Sequence, residues 1–332
     1  MSSPPVPRRT GTRSRARISG DPPGTGRAIT MCTELVPTSM AASARAPVIG
    51  GEASRQTSRL ATSETARPGF GVIGRERGSG PATVASMSGA LDGRRVLVVG
   101  ASSGIGAALA RAVATRGGSV TVSARRRERL EALLAELGTG HAAPGDTTKA
   151  VDARRVAAEA VAAMGGLDLM VYAAGYGVLQ PLTGTDPDTW TGVFRVNVVG
   201  ANLAAAAALD HMDRDGLVAF VSSRTVEDAN ALFSSYSATK AALDQCIRVW
   251  RAEHPDRRFM RVVMGNTAPT EFSDHMNADL LGEALEAWDR QAVPGGMMHV
   301  DDVGAALAEA FAVALDHPDI DFPELKLDAR TA

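Results

Sequence analysis

From residue 94 onward, short uninterrupted apolar runs alternate with longer stretches whose apolar residues recur every three to four positions. The first pattern marks buried strands and the second amphipathic helices. Strands are predicted at 96–99, 119–123, 167–172, 217–221 and 259–264, with a last short one near Leu325. Between them the spacing predicts helices at about 104–115, 127–137, 148–164, 187–209, 235–253, 273–290 and 300–315. Strands without polar alternation are buried on both faces, which implies a parallel sheet with helices on each side. The expected architecture is a single-domain α/β fold, a doubly wound parallel sheet without internal repeats.

Residues 1–86 follow neither period and are dominated by Ser, Thr, Pro, Gly, Ala and Arg. Such a segment buries too little apolar surface to offset its ordering entropy, so a disordered tail is expected, with the compact domain spanning 87–332. The tail is Arg-rich and acid-poor like an organellar transit peptide; a passive extension, or a true start at Met87, is the simpler expectation. Charge divides along the same line, with 12 arginines against 5 acids in residues 1–86 and 23 bases against 32 acids in the remainder. An acidic body is poorly suited to gripping nucleic-acid phosphates, so no nucleic-acid partner is expected. No stretch approaches the roughly 18 uninterrupted apolar residues of a membrane span, so no membrane association is expected either. The two cysteines, Cys32 and Cys246, have no metal-ligand spacing, which leaves a reducing, cytoplasmic setting as the default and no metal site.

Candidate chemistry begins where the first strand meets the first helix. Gly100-Ala101-Ser102-Ser103-Gly104-Ile105-Gly106 occupies that junction. There a dinucleotide pyrophosphate meets unpaired backbone N–H groups and the positive end of a helix, as in Rossmann-type folds. The spacing is G-x-x-x-G-x-G, not the G-x-G-x-x-G fingerprint, and a tight turn chosen for geometry alone would look the same. The second strand ends at Ser123-Ala124 and is followed by Arg125-Arg126-Arg127, with no acid before Glu128. Guanidinium groups pair with a ribose 2′-phosphate where a carboxylate would repel it, so NADP(H) is expected over NAD(H); arginines solvating a helix start are the alternative. Asp146, followed by Thr147, is a candidate acceptor for the adenine amino group or a simple helix cap.

Tyr236-Ser237-Ala238-Thr239-Lys240 places a phenol and an ammonium four residues apart on one helix face. A nearby cation favours the phenolate, and bringing a phenol from about 10 to about 7 takes roughly 4 kcal/mol, which a partly buried charge pair together with a nicotinamide's own positive charge would supply, as suits an acid–base tyrosine. With the glycine turn after the first strand, this pentapeptide makes residues 87–332 resemble the classical short-chain dehydrogenase/reductase family. The resemblance implies that Ser223, 13 residues before Tyr236, is the serine that holds the substrate oxygen. It also implies that Asn197 orders water toward Lys240, that Ala174 and Gly175 border the cofactor, and that Thr270 contacts the nicotinamide carboxamide. Two departures stand out: the family's Asn-Asn-Ala-Gly is Tyr172-Ala173-Ala174-Gly175, which removes a tie to the sheet, and its Pro-Gly after the sixth strand appears as Gly265-Asn266.

The reaction implied by the resemblance is interconversion of a carbonyl and a secondary alcohol by hydride transfer. Tyr236 is then general acid and base, Ser223 an electrostatic support, and Lys240 an orienting group on the nicotinamide ribose. A non-catalytic NADP(H)-binding regulator or scaffold of the same fold is the alternative, and an epimerase or dehydratase would need a larger substrate domain. The small-molecule substrate itself is not legible. The loops 178–188, 224–234 and 267–296 mix apolar and charged residues; Arg224, Glu227 and Asp228 read as surface groups, and Met297 and Met298 as packing or pocket lining. The resemblance also implies a homodimer or homotetramer, through the helix containing Ala204–Ala208 and the helix bearing Tyr236.

Overall fold

The computed structural model describes residues 90–274 and 276–330. The expected disordered tail over 1–86 and the domain start at Met87 lie outside these residues. The chain enters at β1 (Arg95–Val99) and continues through α1 (Gly104–Thr115), β2 (Ser119–Ser123), α2 (Arg127–Leu137), β3 (His141–Ala142), α3 (Ala150–Met164) and β4 (Leu169–Tyr172). Next come α4 (Pro187–Phe194), a π-helical stretch (Arg195–Gly200), α5 (Ala201–Leu209), β5 (Leu217–Ser223), the single-turn α6 (Thr225–Asp228), α7 (Ser234–Glu253) and β6 (Arg258–Met264). It closes with β7 (Thr267–Ala268), a 3₁₀ turn (Glu271–Ser273), α8 (Ala278–Arg290), β8 (Met298–His299), α9 (Val300–Asp316) and β9 (Glu324–Leu327).

Seven strands form one parallel sheet in the order β3-β2-β1-β4-β5-β6-β9. Alternate residues of a strand point to opposite faces, so a strand covered on both sides, such as β1, contributes to two cores. Val96 and Val98 join one core with Leu109 and Val113 of α1 and Leu307 and Phe311 of α9. Leu97 and Val99 join the other, with Ala204 of α5 and Leu243 and Ile247 of α7. The expected doubly wound fold is therefore the observed one. Its strand order reverses at β1, between β2 and β4, so the crevice at their C-terminal ends is the position where such sheets take ligands.

The structure departs from the expected elements in ways with local causes. Helix α8 starts at Ala278, not near 273, because the Asn277 side chain accepts from the N–H groups of Asp279 and Leu280 and caps it there. The continuous helix expected over 187–209 is interrupted by the π stretch, where the buried Tyr172 hydroxyl donates to the Val196 carbonyl at 2.7 Å. This bond ties the end of β4, where the family's asparagine is replaced by Tyr172, to the π stretch. Strands β7 and β8 pair over two residues each, too short for any period to register.

Pro187–Leu209 is long and apolar enough to cross a membrane, but it is a core helix in which Ala201, Ala204, Ala205 and Ala208 pack inside this domain. Met298 of β8 packs against the core, whereas Met297 is exposed to 61% and lines nothing. Helix α9 lies so close to α1 that a Cβ on Gly304 would come within 2.6 Å of the Ala108 backbone. Gly304→Val is expected to cost about 1–3 kcal/mol through overpacking, read as a lowered denaturant midpoint at unchanged m-value.

Candidate active site

The glycine turn is shaped by close approach. Gly100 has φ +95°, and a Cβ there would lie 2.4 Å from the Ala174 backbone nitrogen, so β4's continuation passes directly against the turn. A Cβ on Gly106 would lie 2.4 Å from the Gly100 carbonyl oxygen, which shows how tightly α1 starts beneath it. Ala174 therefore borders the turn. Thr270 lies on the same side: its side chain would be 3.4 Å from a Cβ on Gly104. Ile105 turns partly into the core.

Of the three arginines, Arg126 meets the turn. Its guanidinium donates to Ser102 Oγ at 2.8 Å and Ser103 Oγ at 3.1 Å, and to Glu271 Oε2 at 2.7 Å. Arg129 reaches the other Glu271 oxygen at 3.2 Å. Hydrogen bonding from Arg126 holds the Glu271 carboxyl below its usual range. Arg125 is exposed. The Asp146 carboxylate accepts from the Thr148 N–H at 3.1 Å and hydroxyl at 2.7 Å, a local turn, while α3 begins only at Ala150. Thr147 is buried, and burial pushes the Tyr172 phenol up to about 12, with Thr147 acting the other way.

The second half of the site forms where α7 lies across the end of β5. Ser223 ends β5, and Tyr236 and Lys240 lie on the buried face of α7. Lys240 Nζ donates to the Val221 carbonyl at 2.7 Å and sits 5.6 Å from the Tyr236 ring centroid. The Thr225 N–H and hydroxyl both donate to Ser223 Oγ, at 3.2 and 3.1 Å. Asn197, fully buried in the π stretch, accepts from the Tyr176 N–H at 3.1 Å and donates to the Tyr176 carbonyl and to Thr239 Oγ1, both at 3.0 Å. Gly175 bridges the two halves, since a Cβ on it would stand 3.2 Å from Asn197 Oδ1 and 3.4 Å from Lys240 Nζ. Ser223, Tyr236, Lys240, Asn197 and Gly175 thus converge, next to the turn carrying Gly100 and Ala174.

Charge at this centre follows burial. Desolvation pushes the Tyr236 phenol up to about 12, and a hydrogen bond with Ser223 pulls it the other way. Desolvation also brings Lys240 down to about 8 against the favourable field of Asp244. The side chains by themselves do not lower the phenol, because the loss of water outweighs a cation whose proton is directed at a backbone carbonyl.

Several neighbours carry no signal in the sequence pattern. Phe233 stacks on Tyr236 with centroids 4.6 Å apart, and Phe272 meets it edge-on at 5.1 Å. For Phe233 the one available clue was its place three residues before Tyr236. Arg224, expected at the surface, is only 5% exposed: it pairs with Asp228 and Asp328, both at 2.6 Å, and donates to the Pro294 carbonyl. The Asp328 side chain also explains Gly265, where a Cβ would stand 2.4 Å from its carboxylate. Asp244 is buried between Ser222 and Arg261.

The short chain dehydrogenase family model matches residues 94–281. Glucose 1-dehydrogenase of Gluconobacter oxydans is 33% identical over 173 residues, covering 50% of this chain and 65% of that protein. Among solved structures, a short chain dehydrogenase from Burkholderia cenocepacia in complex with NADP has a TM-score of 0.61 and 28% identity, covering 72% of this chain and 97% of that one. An alcohol dehydrogenase from Thermococcus sibiricus complexed with 5-hydroxy-NADP has a TM-score of 0.59 and 26% identity, over 70% of this chain and 95% of that one. With a parallel sheet, a glycine turn at its switch point and a Ser, Tyr and Lys gathered beside it, the chain belongs to the short-chain dehydrogenase family.

Proposed function

We propose that this protein is an NADP(H)-dependent oxidoreductase that interconverts a carbonyl and a secondary alcohol. The observation that carries this reading is the convergence of Ser223, Tyr236, Lys240 and Asn197 beside a close-packed backbone cradle, the glycine turn, where a Cβ at Gly100 or Gly106 would strike backbone. That cradle fits a dinucleotide: Gly100 to Gly106 and Ala174 would hold its pyrophosphate side, and Gly175, Tyr236, Lys240 and Thr270 its nicotinamide side. When bound, the nicotinamide supplies or takes up hydride. Arg126, already carrying two serine hydroxyls of the turn, is the group suited to a 2′-phosphate, which would then compete with Glu271 for it.

Within this reading Tyr236 gives its proton to the substrate oxygen during reduction. Burial keeps the phenol protonated, with its pKa pushed up to about 12, so the proton is present for reduction but its release relies on the hydrogen bond with Ser223 and on Lys240. Ser223, its oxygen oriented by Thr225, keeps its own hydroxyl proton for the same substrate oxygen as charge develops there. Lys240 stabilises the phenolate left behind, and Asn197 fixes the backbone of Tyr176 against α7. The substrate is a small molecule and the setting cytoplasmic; self-association is supported by exposed Phe194, Val199 and Val249 on the outer face of the α4–α7 layer. No nucleic-acid role belongs to this reading.

Three outcomes test it. Tyr236→Phe is expected to lower kcat by about 100-fold or more while NADPH affinity, measured by fluorescence titration, stays nearly unchanged. Arg126→Ala is expected to weaken NADPH about 10-fold or more with little effect on NADH, whereas Glu271→Gln, which frees Arg126, tightens NADPH selectively. Burial that lowers Lys240 from 10.5 to about 8 opposes folding by about 3 kcal/mol below pH 8, and this penalty fades as pH rises toward 10.5. The difference in melting temperature between Lys240→Met and the parent protein should therefore shift in the parent's favour between pH 8 and 10.5.

A further inference from the structure

The surroundings of the Tyr236 ring are distinct from both cores of the sheet. Leu179, Phe233, Tyr236 and Ala284 form a buried cluster of their own, with Phe272, Leu281 and Trp288 packed against it. Four separate segments meet here: the stretch after β4, the entry to α7, the 3₁₀ turn after β7, and α8. Phe233 stacks on the phenol ring at an interplanar angle of 23°, Phe272 approaches it at 66°, and Trp288 lies 5.9 Å from Phe233. The polar end of Trp288 is already engaged, since its Nε1–H donates to the Ala231 carbonyl at 2.8 Å. Along α8 only Ala284 is fully buried, and the apolar side of that helix, Leu281 and Trp288 included, is directed at this cluster and not at the sheet. The cover of the phenol is thus built from rings and hydrocarbon.

We infer that the substrate is a carbonyl compound with a flat or alicyclic hydrocarbon body, which lies between α8 and the Phe233–Tyr236 stack with its oxygen toward Ser223 and Tyr236. This rests on the carbonyl–alcohol reading above. A ligand that reaches the phenol has to part these rings, and the apolar surface so uncovered must be covered again by the ligand. A hydrocarbon body does this. A polyhydroxylated body does this poorly, because its hydroxyl groups would give up water against the rings and hydrocarbon of this cluster, and the buried, unpaired Gln180 Oε1 and Asn230 Oδ1 in the same segments could answer few of them. Ser223, itself oriented by Thr225, and Tyr236 then supply the few convergent polar groups that orient one oxygen in a largely apolar site.

The test compares 2-tetralone and a decalone with glyceraldehyde and xylose, using the full chain and NADPH. The expected result is a kcat/KM about 100-fold higher for the bicyclic ketones. Trp288→Ala should raise KM for tetralone about tenfold with a much smaller change in kcat, and Trp288→Phe should restore most of the loss. A readout independent of turnover is quenching of tryptophan fluorescence by tetralone, expected to saturate in the parent protein and to vanish in Trp288→Phe, which keeps Trp190 and Trp250. Equal or better use of the hydroxylated aldehydes would overturn this substrate class while leaving the oxidoreductase reading intact. Quenching without turnover of any carbonyl would instead overturn the oxidoreductase reading and support the hydrocarbon site. Neither quenching nor preference would overturn the inference outright.

Discussion

The way α7 is seated on the end of β5 controls everything that the site can do. Two successive strand residues are tied to the helix: Val221 accepts from Lys240 at 2.7 Å, and Ser222 donates to Asp244 at 2.5 Å. Ser223 comes next as the last residue of the strand. Lys240 and Asp244 are one helical turn apart, so the two bonds fix both the rotation and the sliding of α7, and with them Tyr236 one turn earlier. Asp244 is 2% exposed, and a carboxylate buried to that extent is tolerated only with a partner; Arg261 of β6 supplies it at 2.7 Å. The alignment of serine, tyrosine and lysine is thereby anchored to a neighbouring strand with no part in the chemistry.

The same packing sets the charge. Placing Tyr236 and Lys240 out of contact with water favours the neutral form of each, up to about 12 for the phenol and down to about 8 for the amine. Proximity along a helix is a weak guide to acidity when desolvation acts on both partners. The ground state that results is a protonated phenol beside an amine lowered to about 8.

Three consecutive residues after β7 touch three parts of the site. Thr270 lies over Gly104 of the glycine turn, Glu271 binds Arg126 at 2.7 Å, and Phe272 meets the Tyr236 ring at 5.1 Å. The proposed cofactor and substrate sides are therefore covered by one short segment, itself continuous with α8. Arg224 secures the far end of that cover through the Pro294 carbonyl and Asp328, which is why a residue next to Ser223 is buried and ion-paired instead of solvated.

The chain's own pattern determined the layered fold, because β1 and β5 are apolar throughout and the intervening segments carry a helical period. It also singled out Gly100–Gly106, Tyr236 and Lys240, whose local spacing is written in nearly consecutive residues, whereas Ser223 came only from the family resemblance. Tertiary structure alone decided what depends on distant segments. Glu271 opposite Arg126, Asp328 opposite Arg224, Tyr172 bonded to Val196, and the rings of Phe233, Phe272 and Trp288 are separated by tens of residues and carry no periodic signal. Nor did spacing disclose the protonation of Tyr236, because desolvation is a property of everything packed around a group, whereas sequence reports only its neighbours along the chain.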